Sequence, residues 1–262
     1  MKAVLIQLEV REKEQPRQRS QRVQQMLSQI AESRQFCDLV LLPELWKTGF
    51  SNFGQYARSA ESMGGTIRTF SRWAQRLSCT MIPGSSLEKR ADGKVSNTTP
   101  LILPDGTQAA EYRKLHLFGY RSRERELLSP GEGIAVADTP IGRVGLATCY
   151  DLRFPEQFRA MVDAGAEIFC VTAAWPLVRL SDWRLLCRVR AMENQCFLFA
   201  CNNAGTHGGA AGAGHSMAVA PDGTILAEAG EDEEILHVSF DPSDVKQLRE
   251  RFPVLQDRVQ IQ

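Results

Sequence analysis

Short apolar runs alternate along this chain with longer stretches of helical periodicity, and this alternation constrains the fold more than any other feature. Five short apolar runs are predicted strands: residues 2–8, 38–43, 143–148, 167–172 and 196–201. The run 38–43 is apolar on both faces, as expected for a central strand of a sheet that is covered on both sides. Three stretches carry their apolar residues on one face of a predicted helix: residues 20–33, 66–77 and 181–194. Strands that alternate with helices in this way are typical of an α/β fold.

Two copies of the turn Pro-Asp-Gly-Thr predict two β-hairpins, within Leu101–Glu111 and Val219–Glu228. The likeness of these segments fits two sheets of related topology packed face to face, and equally the repeated use of a favourable turn. The Gly-rich segment 205–214 is short and is interpreted as a loop, and no Ser/Gly-rich linker or charge block divides the chain. The sequence therefore predicts one α/β domain over residues 1–262, with helices covering a two-sheet core.

Charge and composition point away from nucleic acid and membranes as partners. The chain has 31 Lys and Arg against 31 Asp and Glu, so its net charge supplies no long-range attraction to polyanions. No apolar run approaches the ~20 residues that a membrane helix needs, and the first run is too short for the core of a signal peptide. The seven cysteines are odd in number and scattered, which favours reduced thiols and a cytoplasmic location.

Three polar residues stand where apolar runs end: Glu44, Lys114 and Cys149. The ends of strands are where α/β proteins place their sites, because the scaffold is rigid there and the loops are free to vary. A carboxylate beside a thiol can accept its proton, and an ammonium can stabilise the oxyanion of a tetrahedral intermediate. Together the three residue types predict nucleophilic acyl chemistry.

Other interpretations remain open at this point. Taken singly, Cys149 is more often a small buried hydrophobe, and Glu44 and Lys114 are ordinary solvated residues. A cysteine–histidine hydrolase or transferase would use one of the four histidines, which are His116, His207, His215 and His237. A metal site would draw on Cys196, Cys201, His207 and His215, although their spacing matches no usual zinc pattern.

Several segments resemble the signature blocks of the nitrilase superfamily, the carbon–nitrogen hydrolases. They are Leu-Leu-Pro-Glu-Leu-Trp at 41–46, Tyr-Arg-Lys-Leu-His-Leu-Phe at 112–118, Cys-Tyr-Asp-Leu-Arg-Phe-Pro-Glu at 149–156, and the downstream segments 174–176, 183–184 and 190–195. Their order and separation also match, and the likeness extends over nearly the whole chain. Order and number make this signal far more specific than any lone motif.

The resemblance implies a four-layer αββα sandwich and a Glu–Lys–Cys triad formed by Glu44, Lys114 and Cys149. It also implies a second glutamate in the loop before the cysteine, and counting back from residues 128–131 selects Glu124, with Glu126 as the alternative. In the implied reaction Cys149 attacks an amide carbon, and Lys114 and the backbone N–H of Tyr150 stabilise the oxyanion. Members of the family commonly form homodimers, and the implied chemistry needs no cofactor and no metal.

Within the superfamily the sequence most resembles the omega-amidase or 2-oxoglutaramate amidase branch, through residues 43–50, 174–180 and 193–197. This implies a small anionic amide as substrate, so the pocket needs a second cation. Arg179 is the predicted carboxylate clamp, because a guanidinium matches a carboxylate, and Arg153 is the alternative. Five aromatic residues are candidates for the pocket walls and equally for plain core positions: Trp46, Phe50, Phe118, Tyr150 and Trp175. The alternative functions are an N-carbamoyl amino-acid or aliphatic amidase of the same fold, and a non-catalytic binding or scaffold protein.

Overall fold

The computed structural model describes residues 1–33 and 35–259, and it places each of the five apolar runs at the centre of a sheet. The strands of the first sheet are β1 (Lys2–Gln7), β2 (Leu39–Leu41), β3 (Thr80–Ile82), β4 (Ser86–Lys89), β5 (Val95–Ile102), β6 (Gln108–Arg113) and β15 (Glu234–Ser239). Those of the second are β7 (Ala135–Thr139), β8 (Gly142–Thr148), β9 (Ile168–Ala173), β10 (Phe197–Asn202), β13 (Met217–Val219) and β14 (Ile225–Glu228). A separate hairpin consists of β11 (Thr206–His207) and β12 (Ala210–Ala211).

The two sheets repeat one pattern of strand directions. In the first sheet β1, β2 and β3 are parallel, β15 runs antiparallel at one side, and the hairpin β5–β6 continues the other side. In the second sheet β8, β9 and β10 are parallel, β7 is the antiparallel neighbour, and the hairpin β13–β14 follows β10. The two Pro-Asp-Gly-Thr hairpins occupy matching positions, so the sheets have related topology.

Four of the helices cover the outer faces of the sheets. The helices are α1 (Pro16–Glu32), α2 (Tyr56–Ser59), α3 (Gly64–Leu77), α4 (Glu124–Leu127), α5 (Pro155–Asp163), α6 (Leu180–Asn194) and α7 (Ser243–Arg251). Short 3₁₀ turns occur at Phe53–Gln55, Cys149–Arg153 and Leu177–Arg179. Helices α1 and α3 pack on the first sheet, and α5 and α6 pack on the second.

Alternating side chains of the parallel strands fill two different apolar layers. In β1, Leu5 points between the sheets, where it joins Leu146 and Phe199, whereas Val4 and Ile6 point to α1 and α3. Because both faces of the strand are buried, the run is apolar throughout. The αββα architecture predicted from the sequence is confirmed. The single domain over residues 1–262 stays a prediction, and its last three residues lie outside the described part of the chain.

Helix α1 begins four residues before the predicted start at residue 20. Pro16 occupies its first turn, where the missing N–H costs no hydrogen bond, and the Gln15 N–H donates to Gln18 Oε1 at 2.9 Å. The first turn carries no apolar stripe, and its one buried side chain is Arg19. Polar residues with local capping functions are therefore invisible to a search for hydrophobic periodicity.

The carboxyl ends of β2, β6, β8 and β9 meet at one edge of the sandwich. Strand β6 runs parallel to β3, because each of these strands pairs antiparallel with β5. A direct contact joins the two sheets at this edge, where the Ala174 N–H that follows β9 donates to Glu44 Oε2 at 3.0 Å. In the described part of the chain, no helix has both the length and the apolar character needed to cross a membrane.

Candidate active site

Glu44 lies at the centre of a buried polar cluster directly after β2. Its Oε1 accepts hydrogen bonds from Lys114 Nζ and from Asn97 Nδ2, both at 2.8 Å, and its side chain has no exposed surface. The neighbouring backbone is packed so closely that a Cβ on Gly84, where φ is +74°, would lie 2.0 Å from the Pro43 carbonyl oxygen. The loop therefore holds Glu44 rigidly, and Gly84 tolerates no side chain.

Lys114 follows β6 and places its ammonium between two carboxylates. Besides Glu44, it contacts Glu124 Oε1 at 3.0 Å and Glu124 Oε2 at 3.1 Å. Its backbone N–H donates to the Asn97 carbonyl at 2.9 Å, and its own carbonyl accepts from Gly131. The lysine is fully buried and held at both its main chain and its side chain.

The structure brings Glu124, and not Glu126, to Lys114. Glu124 is the first residue of α4 and is completely buried, with Oε2 accepting the Phe118 N–H at 2.7 Å. Glu126, two residues later, is 64% exposed and pairs with Arg123 at the surface. The two residues are about half a helical turn apart, so one carboxylate points inward and is buried and the other points to solvent.

Cys149 follows β8 directly and begins the 3₁₀ turn Cys149–Arg153. Its φ is +48°, in the left-handed region that non-glycine residues rarely occupy, and such strain persists only where the surroundings impose it. Here Asp151 Oδ2 accepts the Thr148 N–H at 2.8 Å and so closes the turn. The sharp turn points the thiol out of the strand toward the glutamate and the lysine.

Burial and neighbouring charges shift the pKa values of the groups in this cluster. Burial lowers the pKa of Lys114, but the negative charges of Glu124 and Glu44 outweigh burial and raise it well above its usual value. Burial raises the pKa of Glu124, Lys114 opposes this shift, and the charge of Glu44 adds to it. Burial also raises the pKa of the Cys149 thiol, with Glu44 adding and Lys114 and the Ala174 N–H opposing. The resting thiol therefore keeps its proton, beside a carboxylate that can accept it.

A cavity of about 200 Å³ opens in front of Cys149. All five residues predicted to bind substrate line it, namely Phe50, Phe118, Tyr150, Trp175 and Arg179. Of the two interpretations of Trp46, the structure supports the core position, because Trp46 packs beneath α1 and α3 and its indole N–H donates to the Pro83 carbonyl. Tyr150 stands at the start of the 3₁₀ turn, where the first N–H groups have no acceptor within the helix.

The charged side chains that line the cavity are all basic. They are Lys114, Arg121, Arg153 and Arg179, and among the residues that the structure describes no Asp or Glu lines the same cavity. The Arg153 guanidinium binds Asp182 at 2.7 Å and lies over the Trp175 ring. The Arg179 guanidinium lies 5.6 Å from the centre of the Tyr120 ring, and no carboxylate pairs with it within residues 1–33 and 35–259. The cavity is thus suited to an anion.

Sequence reasoning missed Asn97 and Arg121, and it considered His207 only as a partner of Cys149 or as a metal ligand. Asn97 lies within β5 and donates to both glutamates, to Glu124 Oε1 at 3.3 Å. Arg121 lines the cavity from a loop, and His207 lines it from β11. Neither Asn97 nor Arg121 follows an apolar run or stands in one of the signature blocks, so no signal in the sequence distinguishes them from surface residues.

The histidines and cysteines do not form the alternative sites. His116 Nδ1 lies 2.8 Å from Asp151, His215 Nδ1 lies 2.9 Å from Glu228, and His207 lines the cavity with no hydrogen bond to Cys149 among the described atoms. Cys196 and Cys201 lie in separate places, with their thiols at the Ala166 and Ile6 carbonyls. Among the residues described, no three of His, Cys, Asp or Glu are grouped as metal ligands would be.

Comparisons with known proteins agree with this geometry. Residues 2–250 match the carbon–nitrogen hydrolase family. The chain is 35% identical over 248 residues to a 2-oxoglutaramate amidase of Paenarthrobacter nicotinovorans, covering 92% of this chain and 83% of that one. It is 34% identical over 236 residues to omega-amidase NIT2 of Bos taurus, covering 86% and 84%. The structure of a carbon–nitrogen hydrolase from Helicobacter pylori G27 superposes with a TM-score of 0.92 at 27% identity, covering 98% and 95%.

Proposed function

The chain belongs to the carbon–nitrogen hydrolase family, and from that premise we propose that it hydrolyses a small carboxamide to a carboxylate and ammonia through a thioester on Cys149, as an omega-amidase acting on 2-oxoglutaramate and 2-oxosuccinamate. One observation carries the proposal. A buried lysine contacts two buried glutamates within 3.1 Å, at the base of a cavity that also contains a strained cysteine and is lined by arginines.

Acylation begins when Glu44 accepts the thiol proton and the Cys149 sulfur attacks the amide carbon. The Lys114 ammonium and the Tyr150 N–H stabilise the oxyanion that forms, and such donors typically contribute ~10²–10³ in rate. Glu44 then returns its proton to the amide nitrogen, the carbon–nitrogen bond breaks and ammonia leaves. The raised pKa of Lys114 suits this role because the ammonium stays charged throughout.

Deacylation uses the same groups in reverse. Glu44 takes a proton from a water molecule, the hydroxide oxygen attacks the thioester carbon, and the carbon–sulfur bond breaks. The departing thiolate recovers its proton from Glu44, which regenerates the resting enzyme. Glu124 takes no proton in this scheme. It orients Lys114 through its contacts with the ammonium at 3.0 and 3.1 Å, and its proposed second role is to orient the substrate nitrogen.

The arginines of the cavity select an anionic substrate. Arg179 is the proposed clamp for the carboxylate of a 2-oxo acid, because its guanidinium is free of ion pairs within the described chain. Arg153 already binds Asp182, so it is the second choice. The relatives named above act, by their names, on 2-oxoglutaramate or on omega-amides, which are amides of this chemical class.

A substrate panel tests the function. Ammonia release is measured from 2-oxoglutaramate, from an N-carbamoyl amino acid and from an uncharged aliphatic amide of equal length. We expect the highest kcat/KM with 2-oxoglutaramate. A preference for the carbamoyl compound or the aliphatic amide would assign a different amidase, and activity on none of the three in a folded protein would favour a binding role.

We also propose a cytoplasmic homodimer. All seven cysteines are free thiols, which suits a reducing compartment. On α6, Leu185 is 63% exposed and Met192 is 52% exposed, and their spacing of seven places them on one face of the helix. Ile225 and Leu226 of β14 are also exposed. Sedimentation equilibrium should give a dimer that Leu185→Asp converts to a monomer, whereas a monomeric unaltered chain would refute the proposal.

A further inference from the structure

Asp151 is a buried carboxylate that the reaction scheme does not use. Its side chain has no exposed surface, yet no Lys or Arg of the described chain pairs with it. Instead its two oxygens face four donors. Oδ2 accepts the Tyr112 hydroxyl at 2.6 Å and the Thr148 N–H at 2.8 Å, and Oδ1 accepts the His116 N–H at 3.1 Å and contacts His116 Nδ1 at 2.8 Å. A buried carboxylate with this many partners is held in one position.

The donors come from both sheets and flank the reacting groups. Tyr112 lies in β6 of the first sheet, and Thr148 ends β8 of the second. The Tyr112 hydroxyl also accepts the Leu115 N–H at 3.1 Å, so the network reaches residues on either side of Lys114. On the other side it reaches the residue directly before Cys149. Among the described contacts, this carboxylate links residues 112–116, the lysine loop, directly to residues 148–153, the cysteine turn.

The imidazole of His116 strengthens the same link. Its ring stacks on Phe154 with the ring centres 3.7 Å apart and the planes 7° from parallel. Phe154 follows the 3₁₀ turn that begins at Cys149, so the stack fixes the far end of the turn against the lysine loop. Hydrogen bonds and ring stacking thus join the same two segments.

We propose that Asp151 is a positioning residue, which sets the separation of the Cys149 thiol from the Lys114 ammonium by binding both of the segments that present them. The inference rests on the proposed function in so far as these two groups react. A displacement of about 1 Å at reacting groups can cost ~10²-fold in rate. The residue acts through Tyr112, His116 and Thr148 and touches neither substrate nor thiol.

The variant Asp151→Asn tests this proposal. One carboxylate oxygen becomes an NH₂ group, so two of the four donors face another donor. We expect kcat to fall 10- to 100-fold with KM changed less than about twofold, because the cavity arginines are untouched. Alkylation of Cys149 by iodoacetamide, followed by peptide mass spectrometry at fixed pH, should slow as well. Asp138→Asn is the matched control, since Asp138 is exposed and pairs with Arg143 at the surface.

A kcat and an alkylation rate equal to those of the unaltered enzyme, per folded molecule, would overturn the proposal even if the melting temperature fell. Should Asp151→Asn not fold, His116→Asn keeps a side-chain donor that His116→Ala lacks. We then expect the asparagine variant to retain the higher kcat at equal KM, and equal kcat values would overturn the proposal. The alkylation rate needs no substrate, so it tests Asp151 even if the unaltered protein releases no ammonia.

Discussion

The base and the mouth of the cavity both carry cations, but in opposite settings. At the base, Lys114 is fully buried and contacts Glu44 and Glu124 at 2.8 to 3.1 Å. At the mouth, Arg179 lies against the ring of the exposed Tyr120, with no carboxylate partner in the described chain. The comparison shows two uses of positive charge. Lys114, which is held in place by carboxylates of the protein, is suited to a role in the reaction. Arg179, which has no such partner, is available to bind a substrate anion. Changes at the base should therefore alter kcat, and changes at the mouth should alter KM.

Lys114→Ala should produce the largest loss. Removal of the ammonium deletes an oxyanion donor, which typically costs ~10²–10³ in kcat, and leaves two buried carboxylates without their partner. Breaking a buried ion pair costs about 3–5 kcal/mol of stability. Urea unfolding and steady-state kinetics measure the two effects. Lys47→Ala is the matched control, because Lys47 pairs with Glu61 at the surface, where such pairs contribute about 0–1 kcal/mol. Equal losses of kcat and of stability in the two variants would show that the buried lysine has no special function.

Glu124→Gln and Glu126→Gln separate the two glutamates that the sequence leaves open. The first change removes the charge that orients Lys114, so kcat should fall about 10²-fold. The second affects only a surface pair with Arg123, so kcat should stay within about twofold. Both are measured with 2-oxoglutaramate at saturation. A larger loss from Glu126→Gln would reverse the assignment.

Arg179→Met should raise KM for 2-oxoglutaramate and leave kcat nearly unchanged. A charge-assisted hydrogen bond contributes about 1.5–3 kcal/mol, which corresponds to roughly a ten- to hundredfold change in KM. KM for an uncharged aliphatic amide should not change, because that substrate offers no carboxylate. Arg123→Met, in a loop residue that does not line the cavity, is the control. If Arg153→Met raises KM and Arg179→Met does not, the clamp is Arg153.

The smallest effect concerns His207 at the cavity wall. Burial lowers the pKa of His207 from its ordinary value of 6.5, and the charge of Arg19 lowers it further against the opposing charge of Glu12. The unfolded chain therefore binds a proton more readily than the folded one. The contribution of His207 to the free energy of unfolding is fully present above pH 6.5, and it is lost as the pH falls through the lowered pKa of this residue. We expect the difference between the melting temperatures of the unaltered protein and of His207→Gln to become smaller as the pH is lowered. A difference that stays constant with pH would contradict this.

The two regions also differ in how far the sequence alone could predict them. Glu44 and Cys149 follow apolar runs, and Lys114 follows the second strand of a predicted hairpin, so strand periodicity and turn residues are enough to predict their positions at the ends of strands. Asn97 and Asp151 could not be assigned roles in this way, because each acts through hydrogen bonds between segments that only the tertiary fold brings together. At the mouth, the arginines have no periodic pattern. Trp46 could not be assigned from the sequence, because a pocket wall and a core position favour the same side chain.

Mass spectrometry of the acid-quenched enzyme during turnover of 2-oxoglutaramate tests the central claim most directly. If the reaction passes through a thioester, Cys149 gains the mass of the substrate less that of ammonia, and Cys149→Ala gains no mass and releases no ammonia. A Cys149 peptide of unchanged mass during active turnover, together with undiminished ammonia release by Cys149→Ala, would contradict the thioester.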